Sequence, residues 1–304
     1  LATAEANYWS LALARESVKV AKDATERATE LYKWYKYRAN TGLTDRADLL
    51  QSEAALQQRN LDLKNAEDAE VLAARDFNAS RDADSSTVAE KLVPMTSESL
   101  DQLKVPARAE MRDDTRAALE QSNVAQAADE QSRQTYKPTL ELFGTAAMNN
   151  NNPLSTQEQS NAFNNSFSAT RPTQIVGIRF SAPLDIGLVQ EVRAGHKASM
   201  HAAALTYQRK LFDQEKGWHD LTEKFAQAKG KLAIYDQLEK TQKAKLDYEK
   251  LRKKQGRTTT QWVIQFETEY EQTQLARIQT MSEILQLLAQ MKTYASSSTE
   301  IATR

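Results

Sequence analysis

The sequence contains no cysteine. Disulfides, thiolate nucleophiles and zinc sites built on thiolates are therefore excluded. Such a chain suits an oxidising compartment without requiring one. Glycine and proline are scarce, with 8 and 6 in 304 residues, where average usage would give about 20 and 15. Ala, Gln, Glu, Lys, Leu and Arg dominate instead, and together these features favour long, uninterrupted helices. Charge of one sign is lacking too. A net charge of −1 gives no global field for nucleic acid or an anionic membrane. No window approaches the roughly 20 apolar residues of a membrane-spanning helix. That excludes a helical span but not a membrane β-barrel, whose strands are shorter and alternate.

Chemistry-bearing residues are equally sparse. His196, His201 and His219 are the only histidines. The first two are five apart and share a helix face poorly for metal binding. No Ser-His-Asp set, phosphate-binding loop or dinucleotide fingerprint occurs. The expectation is no enzyme, no catalytic residue, no metal and no cofactor. Lys250 to Arg257 is basic, but balanced charge surrounds it and stacking aromatics are few, so no nucleic-acid partner is expected.

What is present is helical periodicity. The start, LATAEANYWSLALARESV, already reads as mid-helix. A helix is expected from Ala2 to about Arg38, ended by Asn40-Thr41-Gly42. Thr44 is the expected N-cap of the next helix, with Asp45 and Asp48 in its first turn. Leu49, Leu56 and Leu63 are seven apart and share one seam of a helix that runs to about Asn78. Residues 1–78 thus form an antiparallel helical hairpin with a very short loop. Residues 79–110, broken by Pro94 and Pro106, read as short helices and loops. A further helix is expected from roughly Ala107 to Gln134, its start pinned only loosely by Pro106, and residues 111–135 are taken as the helix leading to the membrane.

The period then changes. Tyr136-Lys-Pro138 stops the helix, and Thr139 to Thr145 reads as a strand. Asn149 to Phe167 is a polar, Asn/Ser-rich loop. Thr173 to Ser181 is a second strand, with Val176, Ile178 and Phe180 on one face; Ile175 breaks the alternation, but Gly177, Arg179 and Ser181 lie on the other. Residues 136–183 are therefore a β-hairpin that is apolar on one face only. Residues 184–298 form a second helical hairpin. Its first arm runs from about Gly187 to Lys254, roughly 100 Å at 1.5 Å per residue. Gly195, Gly217 and Gly230 weaken that arm locally. Gly256 marks the corner, Thr258 with Gln261 makes a T-x-x-Q capping box, and Ile278, Met281, Leu285 and Leu288 form one stripe of the last helix. Residues 299–304 read as a disordered tail.

The two corners match. Gly42 to Ala54 and Gly256 to Thr268 superpose without a gap at an offset of 214, that is 256 minus 42. Gly42 meets Gly256, Thr44 meets Thr258, Leu49 meets Val263, Leu50 meets Ile264, Gln51 meets Gln265 and Glu53 meets Glu267. Repetition at this distance is duplication of a domain-sized unit, not a solenoid. Only 41 residues precede Gly42, so the first unit is expected to lack about 30 residues of helix and a preceding β-hairpin.

In order and spacing these phrases resemble the TolC family of outer-membrane efflux ducts. Tyr136-Lys-Pro-Thr-Leu-Glu-Leu-Phe-Gly144 is similar to the family's lead into its β-barrel, and Val176-Gly-Ile-Arg-Phe-Ser-Ala-Pro-Leu-Asp-Ile-Gly187 to the lead out of it. Gly42-Leu-Thr44 and Gly256-Arg-Thr258 are similar to its periplasmic tips. The resemblance covers most of the chain. It implies a mainly α fold with a small β part: long antiparallel helical hairpins forming the wall of an α-barrel in a homotrimer, and a β-hairpin contributing to a membrane β-barrel. It implies a passive exit duct of a tripartite efflux or type I secretion system in the Gram-negative outer membrane and periplasm. The partners would be a periplasmic adaptor, an inner-membrane pump and outer-membrane lipid.

The resemblance also implies site residues. Asp48 stands where the family has a tip aspartate that helps close the duct, and the expectation is that it pairs with Arg46, Arg252, Lys253 or Arg257. A first-turn helix charge is the plainer role for Asp48. Family constriction acids correspond to Trp262 and Gln265, so an acidic ring is absent there and Trp262 either narrows the pore by bulk or packs between hairpins. Gly42, Leu43, Thr44, Gly256, Arg257 and Thr258 are the expected adaptor contacts. The rival reading is a periplasmic adaptor or elongated coiled-coil scaffold without a pore. A β-domain with a buried, two-sided core would favour that rival.

Overall fold

A computed structural model describes residues 2–148 and 172–295. The expected Asn-rich loop and C-terminal tail lie outside these residues. The described chain falls into two compact units. Residues before Asp113 and after Phe212 form one; Asp113 to Phe212 form the other.

The first unit carries both corners. Helix α1 (Ala2–Asn40) has no glycine or proline and buries a narrow stripe that includes Leu11, Ala14, Ala21, Ala24, Leu31 and Tyr35. Small Ala residues on that stripe let neighbouring helices approach closely. Helix α2 (Arg46–Ala79) folds back along α1 and buries only Ser52, Ala74 and Asn78. Leu49, Leu56 and Leu63 are half-buried, as the shared seam requires.

Beyond α2 the chain loses helical period for a local reason. Buried Asn78 donates through Nδ2 to the carbonyls of Ser85 (2.8 Å) and Thr87 (3.1 Å), tying the following loop onto the helix end. A five-residue helix, α3 (Ser97–Asp101), follows, capped by the Thr96 side chain. Met95 and Leu100 plug the main core.

The next helix starts at Asp113, two residues inside the expected 111–135 segment and six after the rough start at Ala107. Residues 107–112 are instead non-helical, with Arg108 opposite Ala295 in an antiparallel bridge, the Ala109 N–H donating to the Tyr294 carbonyl at 2.7 Å and a bend at 110–111. Arg108 also grips Glu215 with two bonds, at 2.6 and 3.1 Å. Pro106 is compatible with a helix start but does not impose one, and the backbone partners at Tyr294 win.

The last two long helices are α5 (Ile186–Lys254) and α6 (Thr260–Lys292). In the first unit, Phe225, Ala228 and Leu232 of α5 pack with Met281, Ile284, Leu285, Leu287 and Met291 of α6 and with Ala12 of α1. Full burial of such a side chain is worth roughly 1.5–3 kcal/mol. The predicted α6 stripe is accordingly buried, apart from half-buried Leu288. Gly217 has a tertiary reason: a Cβ there would clash with the Tyr294 hydroxyl.

The second unit holds α4 (Asp113–Thr135), strands β1 (Thr139–Met148) and β2 (Pro172–Ser181), and the start of α5. The strands pair antiparallel, with Leu140 opposite Phe180, Leu142 opposite Ile178, and Gly144 opposite Val176. These define one apolar face, and its large side chains are 67–78% exposed. The other face carries the Glu141–Arg179 ion pair (3.7 Å) and the Phe143 ring over Gly177. The predicted alternation is realised at these positions, but exposed Ile175 interrupts it on the second face, and both faces of the hairpin are exposed.

Candidate functional site: the paired helical corners

Both corners close by the same backbone device. Gly42 (φ 72°) and Gly256 (φ 69°) adopt the left-handed conformation that L side chains resist. Gly42 N–H donates to the Ala39 carbonyl and Leu43 N–H to the Arg38 carbonyl, at 3.1 and 2.8 Å. Gly256 N–H donates to Lys253 and Arg257 N–H to Arg252, at 3.0 and 2.9 Å. These are two Schellman ends with the same spacing. Each is then clamped by an arginine: Arg38 donates to the Leu43 carbonyl at 2.8 Å, and Arg252 to the Arg257 carbonyl at 2.9 Å. Arg38 and Arg252 stand at the same offset of 214 as the glycines.

Two capping expectations are corrected. The N-cap of α2 is Asp45, whose carboxylate accepts from the Ala47 N–H. Thr44 instead donates to Asp48 at 3.0 Å. The N-cap of α6 is Thr259, without a side-chain cap bond. Thr258 spends its hydroxyl on Glu249, so no capping box forms. In both cases the threonine hydroxyl meets a carboxylate, a stronger acceptor–donor match than a neutral cap.

Below the clamps the corners differ. Arg252 is held by Glu249 at 3.2 Å, and Glu249 is itself buried. The residue at the Glu249 position of the first corner is Tyr35, also buried, in a cluster with Leu31, Val263, Trp34, Leu49 and Ile264. Burial raises the Tyr35 hydroxyl above its ordinary range, against a hydrogen bond with Thr260 that acts the other way. Arg38 stacks on Trp34, its Cζ 4.7 Å from the ring centroid.

The corners lie side by side around a cleft of about 350 Å³, lined by residues of both, including Trp34, Arg38, Asp48, Lys253, Thr258 and Thr260. Across it, the Thr260 hydroxyl donates to Asp48 at 2.5 Å. Asp48 therefore accepts from two threonines, one from each corner. Among the described residues of this chain it makes no ion pair. Arg46 and Arg257 are exposed. Arg252 is committed to Glu249 and to the Arg257 carbonyl. Lys253 lies over Trp34 (4.4 Å) and Tyr35 (5.7 Å).

Leu43 is 61% and Trp262 49% exposed. Trp262 packs on Phe266 of its own helix at 5.7 Å. Gln265 donates to Glu269 at 2.8 Å, and Lys245 bonds Glu269 from α5 at 2.7 Å. Those two donors, Lys245 first, hold the Glu269 carboxyl below the ordinary range. Sequence reasoning missed Trp34, Tyr35, Arg38, Glu249 and Thr260. Extending the gapless match upstream would have found Arg38 beside Arg252, and Lys36 beside Lys250.

Among the described residues no helix is long and apolar enough to cross a membrane. No cluster of three or more metal-ligating side chains occurs among them either.

These corners, helical hairpins and one-faced β-hairpin define the fold of TolC-like outer-membrane channels, the resemblance already carried by the sequence. The outer-membrane channel OprN matches with a TM-score of 0.77 at 16% identity, over 96% of this chain and 65% of that one. VceC of Vibrio cholerae matches with a TM-score of 0.77 at 16% identity, over 97% and 69%. The CmeC channel of Campylobacter jejuni gives 0.72 at 15% identity, over 99% and 64%. The chain thus spans about two thirds of the length of these channels. No family model matches the sequence, and comparison with curated proteins finds no match.

Proposed function

We propose that the protein is a passive exit duct of the Gram-negative outer membrane and periplasm, assembled as a homotrimer and closed at the paired corners. The observation that carries this reading is the β-hairpin. Leu140, Leu142, Val176, Ile178 and Phe180 form an exposed apolar face, which suits lipid contact in a closed barrel. The long helices support the same reading. Leu50, Leu61 and Leu72 are 54–59% exposed on α2, and Ile234, Tyr248 and Leu251 are 53–68% exposed on α5. Such apolar positions suit lateral packing between protomers in a helical wall.

With no helix suited to cross a membrane, transport energy would come from a partner pump, reached through an adaptor that docks on Gly42, Leu43, Thr44, Gly256, Arg257 and Thr258. Tripartite efflux and type I secretion both fit this arrangement. Asp48, with Arg46, Arg252, Lys253 and Arg257, is the proposed gate set. Its intrachain partners are threonines, so an Asp48–Arg pair would join different protomers. Trp262 and Gln265 are the proposed constriction.

Electron microscopy of the intact, detergent-extracted protein, with its mass by light scattering, tests the reading. A three-fold hollow tube with helices of roughly 100 Å and a detergent belt is expected. A soluble monomeric or dimeric rod would overturn it in favour of an adaptor or scaffold.

A further inference from the structure

Two cations share one indole where the corners meet. Arg38 Cζ lies 4.7 Å, and Lys253 Nζ 4.4 Å, from the Trp34 ring centroid. Arg38 is fixed by its bond to the Leu43 carbonyl. Lys253 is half-buried and has no carboxylate at ion-pair distance among the described residues. The acids around it are engaged or distant. Glu267 of α6 is taken by Arg27 of α1 and Lys250 of α5, each at 2.7 Å. Asp48 accepts the two threonines and Asp45 caps α2. Glu30 of α1 acts only through space. The remaining neighbours are Tyr35 and three cations: Arg38 of α1, and Lys250 and Lys254 of its own helix.

We propose that Lys253 is a proton-controlled wedge between the two corners: as an ammonium it favours their separation, and as a neutral amine it lets them close. Closure moves the ammonium out of water and among like charges. An aromatic face attracts a cation, but here one ring serves two. Burial first, then Lys250, lower the proton affinity of Lys253 from the ordinary 10.5 to about 8. The closed arrangement therefore binds the proton more weakly than a solvated lysine does. By linkage, protons favour whichever state returns Lys253 to water. This inference rests on the reading of the corners as parts that move apart.

The absence of cysteine makes the test clean. Thr41→Cys and Gln255→Cys place spin labels on equivalent exposed positions of the two corners. Distances between them are measured by pulsed electron paramagnetic resonance on the full-length protein in nanodiscs, at pH 7 and pH 9.5. The separated population is expected to be at least about twofold larger at pH 7, as the linkage requires. Lys253→Met should hold the corners together at both pH values, and Lys253→Arg should keep them separated at both. A wild-type distribution that ignores pH, or a shift that survives in Lys253→Met, would overturn the wedge. Planar-bilayer conductance at the same two pH values separates the two readings. Distances that shift while conductance stays constant would leave the wedge standing and remove the gate from these corners.

Discussion

The two corners share a backbone and a clamp but rest on different ground. The first corner sits on aromatic residues: Arg38 lies on Trp34, and Tyr35 is buried beneath. The second sits on a buried carboxylate, Glu249, which takes both Arg252 and Thr258. The helices that leave the corners diverge further. Helix α6 buries fourteen residues and α2 buries three, so α6 lies inside the unit while α2 lines its outside. The two hairpins share one corner pattern; tertiary packing within the unit decided which arm became core. In the proposed duct, an arm on the outer edge would keep its apolar residues, such as Leu50, Leu61 and Leu72, for a neighbouring protomer.

The sharpest way to break this comparison is in the arms. Ile284 is fully buried on α6, and the exposed Val71 lies on α2. Ile284→Ala should destabilise the isolated chain by about 2–5 kcal/mol, measured by urea unfolding. Val71→Ala should cost less than about 0.5 kcal/mol in the same assay. Equal costs would mean that the arms are equivalent after all.

The anchors come next. Glu249→Gln keeps the shape but removes the charge from Arg252 and Thr258, and should cost about 1–3 kcal/mol. Tyr35→Phe, at the matching position, removes a single hydroxyl bonded to Thr260, and should cost about 0.5–1.5 kcal/mol. The difference reads directly in the unfolding midpoints of the two variants.

The glycines sharpen the comparison from the other side. A Cβ at Gly42 or at Gly256 would meet nothing within 4 Å, so only backbone strain enters. Gly42→Ala and Gly256→Ala should each cost about 1–2 kcal/mol, and the same amount within error. Unequal costs would show that the ground beneath a corner alters its backbone.

A further contrast is in pH. Lys253 holds its proton up to about pH 8 when folded and up to about 10.4 when unfolded. Between these values the unfolded chain carries the extra proton, so stability rises with pH across that window and levels off above it. Unfolding at pH 7.5 and pH 10 should show the rise in the wild type, and Lys253→Met should flatten it.

Much of this was legible in the sequence because it rests on local rules. Helix ends at Gly42 and Gly256, the strands around Leu142 and Ile178, and the buried α6 stripe each follow from conformational preference or period. The errors came where a tertiary partner outbid a local one. Thr44 and Thr258 have the chemistry of caps, yet each found a carboxylate. Ala107 follows a proline suited to a helix start, yet its neighbours paired with Tyr294 and Ala295. Asp48 could be picked as a gate candidate, but its threonine partners could not, because Thr260 lies 212 residues away in the chain.

The sequence by itself determined the helices, the one-faced β-hairpin and the twice-written corner, because glycine placement and side-chain period act over a few residues. Tertiary structure alone decided which arm is buried, which groups hold each corner, and that Arg38 and Lys253 meet on one indole. Those outcomes depend on distances between residues far apart in the chain, and short-range pattern carries no record of them.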